Sequence, residues 1–136
     1  MTLVLIADDD PLTVDVIRGA LSKCGYTVGA LPDGRDLVRV VEAKRPALII
    51  LDCMMPQVSG IEALRGIRAS RTCFDVPVLM LTARSSMGDQ QIAMRAGASE
   101  YLRKPFDPDQ LVAVVDCLLD ERSRRLLSAG PPGLIA

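Results

Sequence analysis

The sequence predicts an α/β domain in which a five-stranded parallel sheet carries helices on both faces. Five apolar runs of strand length, at residues 3–7, 27–31, 47–51, 76–81 and 98–102, are separated by segments long enough for a crossover helix. Four of the runs also end on polar chemistry: Asp8-Asp9 after the first, Asp52 after the third, Thr82 after the fourth and Arg103-Lys104-Pro105 after the fifth. In a parallel sheet the carboxyl ends of neighbouring strands share one crevice, where ligands collect.

The connecting segments read as helices in turn. Asp10-Pro11 supplies an N-cap and a first-turn proline, Val14, Ile17 and Leu21 an apolar stripe, and Cys24-Gly25 a stop. Residues 34–44 carry Leu37, Val40 and Val41, and residues 60–70 carry Ile61, Leu64 and Ile67. Residues 87–96, with Ile92 and few other large aliphatics, form the weakest stripe and the helix expected to move most easily. The last helix opens on Asp107-Pro108, with Gln110 placed to close a capping box, and buries Leu111, Val114, Val115, Leu118 and Leu119. Residues 121–125 are charged, and Gly130-Pro131-Pro132-Gly133 cannot remain helical. The expected organisation is a domain over 1–121, followed by a helix end and flexible tail or linker over 122–136.

A chain of 136 residues fits one domain, and its 49% apolar and 3% aromatic content predicts a core of Leu, Val, Ile, Ala and Met. The longest apolar run is too short to span a bilayer, and the chain reads as cytoplasmic. Sixteen basic against seventeen acidic residues create no overall field for nucleic acid or membrane, so neither is an expected direct partner. The four cysteines are scattered and there is no histidine, which argues against a zinc site and for reduced, mostly buried thiols.

Asp8, Asp9 and Asp52 would crowd together in the crevice, and clustered carboxylates repel unless a cation joins them. An all-oxygen donor set favours Mg²⁺, which keeps several waters and prefers to share its shell with phosphate. Lys104 and Thr82 can bind further phosphoryl oxygens. A carboxylate is a competent acceptor of a phosphoryl group, and Asp52, on the central run, is the best placed.

With Asp8-Asp9, Leu51-Asp52-Cys53-Met54-Met55-Pro56 followed by Gly60, Leu81-Thr82-Ala83, Ala96-Gly97-Ala98 and Lys104-Pro105-Phe106 in this order and strand context, the sequence resembles a receiver domain of the two-component response regulator family. The resemblance covers residues 3 to about 120 and implies the flavodoxin-like strand order 2-1-3-4-5. It implies Asp52 as phosphoacceptor, Mg²⁺ held by Asp9, Asp52 and the Met54 carbonyl with Asp8 acting through metal-bound water, and Thr82 and Lys104 on the phosphoryl oxygens. Tyr101 matches the aromatic switch that turns inward as the threonine shifts, and the Lys104-Pro105 bond is expected to be cis. The implied partners are a histidine kinase or phosphotransfer protein, a downstream protein target or output domain, and a second copy in a phosphorylation-dependent homodimer. Met54 and Arg84 stand where receivers vary; an apolar shield at Met54 and a cation at Arg84 predict a long-lived phosphoryl state.

Plainer roles compete at several positions. Asp10 has a sufficient task as an N-cap, and Tyr101 could be a partly buried core aromatic with a wet hydroxyl. Thr82 alone would be assigned to local backbone; its company with Asp52 and Lys104 reverses that. Cys53 is expected to point away from Asp52, and the arginines at 122–125 to be a solvated helix end. The leading function is a signalling switch that assists only its own phosphorylation and dephosphorylation and is not an enzyme in the ordinary sense. A phosphatase of the haloacid dehalogenase type needs a second acid where Met54 stands, and no glycine-rich phosphate loop follows the first strand. The alternatives are a non-phosphorylated scaffold and the amino-terminal receiver of a longer regulator with a DNA-binding or enzymatic output domain.

Overall fold

Strands and helices alternate strictly along the chain in the computed structural model, which describes residues 2–55, 57–82 and 87–129. The order is β1 (Leu3–Ala7), α1 (Pro11–Lys23), β2 (Thr27–Leu31), α2 (Leu37–Lys44), β3 (Leu48–Asp52), α3 (Gly60–Ala69), β4 (Val78–Thr82), α4 (Met87–Ala96), β5 (Glu100–Arg103) and α5 (Pro108–Ala129). The strands form one parallel sheet in the order β2-β1-β3-β4-β5, as expected.

The pleat sorts the central strands between two cores. Ile49 and Leu51 of β3, with Val78 and Met80 of β4, pack under α2, α3 and α4. Leu48 and Ile50, with Leu79 and Leu81, pack under α1 and α5. Val14, Ile17, Leu21, Leu111, Val115 and Leu118 supply the helical side of the second core, as their spacing predicts.

Several boundaries differ from the sequence expectation for local reasons. Helix α2 starts at Leu37 instead of residue 34, because Asp33 Oδ1 accepts from the Arg35 amide at 2.9 Å and turns the chain first. Strand β5 starts at Glu100 because the preceding residues close α4: the Gly97 amide donates to the Met94 carbonyl at 3.2 Å and the Ala98 amide to that of Ala93 at 3.0 Å. That pattern needs a left-handed residue, and Gly97 has φ 109°. The cap of α5 is made by Asp107, whose Oδ1 accepts from the Asp109 amide at 2.9 Å; among the described residues no bond from Gln110 completes a box. Asp10 caps α1 by accepting from the Leu12 amide at 3.1 Å and the Thr13 hydroxyl at 2.8 Å. Helix α5 continues to Ala129, so the boundary drawn at 121 falls within it, and Arg122 donates to the Ala47 carbonyl at 2.8 Å. Among the described residues no helix is long and apolar enough to cross a membrane.

Candidate functional site

Pairing between strands continues one residue past their formal ends and fixes the site. The Asp8 amide donates to Leu31 O at 3.1 Å, the Cys53 amide to Leu81 O at 2.9 Å and the Lys104 amide to Thr82 O at 2.8 Å. Asp52 stands opposite Leu81 in the β3–β4 register. Asp8, Asp52, Thr82 and Lys104 therefore meet at the carboxyl edge of the sheet. The Lys104-Pro105 peptide is cis.

Oxygens of Asp8, Asp9 and Asp52 lie within 4.8 Å of one another; Asp8 and Asp52 are buried and Asp9 is exposed. Lys104 Nζ stands 3.0 Å from Asp8 Oδ2 and 3.4 Å from Asp52 Oδ2. Asp8 Oδ1 accepts from the Asp10 amide at 2.9 Å, and Asp52 Oδ1 from the Met54 amide at 3.2 Å. Burial, then the charge of Asp8, pushes the Asp52 carboxyl up to about 6, although Lys104 and the Met54 amide pull the other way. For Lys104, burial favours the neutral amine, but the hydrogen bond to Asp8 and the charges of Asp52 and Asp8 outweigh it and raise its pKa.

Thr82 is fully buried, and its Oγ1 has no hydrogen-bond partner among the described residues. A buried hydroxyl without a partner costs stability. Its position at the strand end beside Asp52 makes it a donor in reserve for an oxygen-rich ligand. Three carboxylates, a lone hydroxyl and one ammonium fit a divalent cation and a phosphoryl group side by side.

Gly60 makes the site's geometry possible. Its amide donates to the Cys53 carbonyl at 3.0 Å, and a Cβ there would fall 2.0 Å from the Asp52 carbonyl oxygen. Ser59 Oγ caps α3 by accepting from the Glu62 amide at 3.2 Å, so the helix start is held against the Asp52 backbone.

The other expected residues are placed as follows. Cys53 is buried in the core under α2, α3 and α4. Tyr101 is half-buried against that same core, opposite Met80. Met54 is 67% exposed, so its packing gives no support to the expected shielding of Asp52. Pro56, Ala83, Arg84 and residues 130–136 lie outside the described residues.

Three features escaped the sequence reading. Arg68 threads between elements: Nε donates to Gly97 O at 2.8 Å, and Nη1 to Phe74 O at 2.9 Å and Val76 O at 2.6 Å. Nothing in the spacing of α3 singles it out. Gln90 of α4 is buried, and its Nε2 has no partner among the described residues. Leu12 and Val16 are exposed beside Lys104, Pro105 and Phe106 around a hollow of about 410 Å³. That signal was readable, since both aliphatics lie off the buried stripe of α1.

The fold is a doubly wound α/β domain with an acidic pocket, a hydroxyl and an ammonium at the carboxyl edge of its sheet. Residues 4–116 match the family model of the response regulator receiver domain, and the chain belongs to that family. The response regulator MprA of Mycolicibacterium vanbaalenii is 39% identical over 116 residues, covering 85% of this chain and 49% of the relative. The chain thus spans about half the length of the curated relatives it matches. Among solved structures, the chemotaxis protein CheY4 of Vibrio cholerae superposes with a TM-score of 0.80 at 30% identity, covering 87% of this chain and 98% of that one. The receiver domain of the sensor histidine kinase PA1611 from Pseudomonas aeruginosa superposes at 0.81 with 34% identity, covering 88% and 98%, and was solved with a magnesium ion coordinated in its active-site cleft.

Proposed function

We infer that this receiver is a phosphorylation-driven switch in which Asp52 accepts a phosphoryl group from a phosphohistidine of a partner histidine kinase or phosphotransfer protein. The observation that carries the reading is the placement of Lys104 Nζ within 3.4 Å of both Asp8 and Asp52, with the unpartnered hydroxyl of Thr82 at the same edge. A carboxylate oxygen of Asp52 attacks phosphorus, the P–N bond breaks, and the imidazole leaves with the bond's electron pair. Lys104 moves its ammonium onto a phosphoryl oxygen and Thr82 donates to another, so charge that develops on the transferring group meets donors already in place. Attack of water on phosphorus later returns inorganic phosphate and the free carboxylate.

Asp9, Asp52 and the Met54 carbonyl would hold Mg²⁺, with Asp8 reaching it through water. Held there, it would neutralise the crowded carboxylates and would polarise a phosphoryl oxygen. The exposed pair Leu12 and Val16, with Phe106 beside Lys104, gives a phosphodonor protein an apolar footing next to the acceptor. The rearranged Thr82 frees space toward Tyr101, and the phosphorylated surface then selects a downstream protein or an output domain by contact.

Incubating the protein with a small acyl phosphate donor and weighing it intact tests the reading. The expected result is one added phosphoryl mass that requires Mg²⁺ and is lost in Asp52→Asn. Equal labelling of the Asn variant would refute the assignment.

A further inference from the structure

We propose that Gln90 is a positioning residue of the switch: its buried side-chain amide, unpaired in the resting chain, is the internal partner that the Tyr101 hydroxyl takes up once Thr82 is drawn onto the phosphoryl group. The proposal rests on the reading of Asp52 as acceptor and adds the means by which α4 senses the acceptor's state.

Three side chains close one wedge between α4 and the carboxyl half of the sheet. The Ser99 amide donates to the Val78 carbonyl at 2.9 Å, which sets the end of α4 beside the start of β4. A crossover helix runs antiparallel to its strands, so Gln90 stands about 9 Å nearer the carboxyl edge than Ala96, the last residue of α4. On the same scale Tyr101, paired with Met80, stands about 7 Å above Val78, and Thr82 about 13 Å. Gln90 is therefore level with the space between them. The faces agree as well. Met80 and Thr82 are two apart on β4 and share the side on which Met80 enters the core under α2, α3 and α4. Tyr101 packs against that core, and so does Ala93, one turn from Gln90 on the same face of α4.

Among the described residues, the buried side-chain nitrogen and oxygen atoms that lack a hydrogen-bond partner are Thr82 Oγ1 and Gln90 Nε2, and both border this wedge. Gln90 is only 8% exposed, and an amide held there without a partner opposes folding, a cost that a methionine of the same length would avoid. A tyrosine hydroxyl accepts as well as donates, so a ring turned into the wedge gives Nε2 the acceptor it lacks. The bond forms in the switched state alone, and an interaction confined to one state shifts the balance between two. By linkage, the same bond tightens the hold on whatever draws Thr82 away.

Beryllium fluoride with Mg²⁺, a tetrahedral mimic of a phosphoryl group on a carboxylate, is the probe, applied to the full chain with isotope-labelled tyrosine rings. The chain has two tyrosines, and Tyr26, hydrogen-bonded to Asp116, gives the control signal. Gln90→Met should leave the free chain at least as stable to urea as wild type and should still gain one phosphoryl mass from an acyl phosphate. In beryllium fluoride its Tyr101 NMR signal should stay near the resting position that wild type leaves. Its affinity for the probe should fall about fivefold or more, whereas in a Tyr101→Phe background the same substitution should change it less than about twofold. A Tyr101 signal that shifts as in wild type, an equal loss of affinity in both backgrounds, or a destabilised free chain overturns the role of Gln90 and leaves Asp52 as acceptor. Wild-type protein that neither gains phosphoryl mass nor binds the probe overturns the reading of Asp52 and this proposal with it.

Discussion

Lys104 Nζ and Asp8 Oδ2 lie 3.0 Å apart although 96 positions separate them in the chain, and Asp8 is fully buried on its side-chain surface. The ammonium holds two carboxylates, Asp8 and Asp52, at one edge of the sheet before any cation or phosphate arrives. Burial and the charge of Asp8 oppose ionisation of Asp52, and variants of the site report that cost.

The raised carboxyl of Asp52 sets a pH dependence. Its pKa of about 6 in the folded chain lies above the ordinary 3.8, so the folded state binds the proton more tightly. The stability this proton confers is present below about pH 4 and is lost as pH rises through 6. Metal-free Asp52→Asn should keep it, melting about 3–6 °C above wild type at pH 7.5 and close to it at pH 4. Calorimetry at the two pH values checks this, and an equal difference at both would contradict it.

Thr82→Val removes a buried hydroxyl that has no partner among the described residues while keeping nearly the same shape. The unphosphorylated variant should gain about 1 kcal/mol. Its phosphoryl uptake should slow about tenfold or more, because a donor is missing from the transferring group. Urea unfolding and the labelling rate, measured on the same preparation, should move in opposite senses.

Gly60→Ala puts a methyl group 2.0 Å from the Asp52 carbonyl oxygen, so either α3 or the Asp52 backbone must shift. A loss of about 3 kcal/mol or more is expected, since the nearest atoms are backbone. The Asp52 resonances should move in the NMR spectrum of whatever remains folded. Unchanged Asp52 shifts would show that the helix alone gives way.

Arg68 supplies donors to the carbonyls of Gly97, Phe74 and Val76. Arg68→Ala leaves these acceptors without it and should cost about 2–4 kcal/mol, with Arg68→Lys recovering less than half, because an ammonium cannot span the fork. Hydrogen exchange should speed up first around Gly97 and the start of β5. Uniform acceleration across the sheet would mean that Arg68 supports the whole fold and not that corner.

Much of this was readable in the residues themselves. The apolar runs ended where polar chemistry begins, and parallel pairing alone brought Asp8, Asp52, Thr82 and Lys104 to one edge. Motif spacing could not reveal Arg68, whose partners are backbone carbonyls that carry no side-chain signature. It also misjudged the starts of α2 and β5, where an Asp33 side chain and the closing turn after α4 claim backbone that propensity assigns to regular structure. The exposure of Met54 depends on how the loop after β3 folds back, which the residue type does not determine.

The most direct test is to trap the acceptor. Protein treated with acyl phosphate and Mg²⁺ is reduced with borohydride, which converts an aspartyl phosphate to homoserine, and is then digested and sequenced by mass spectrometry. Homoserine at position 52 alone, absent when Mg²⁺ or donor is omitted, is the expected result. Homoserine at Asp8 or Asp9, or none anywhere in protein that has gained phosphoryl mass, would contradict the assignment of Asp52.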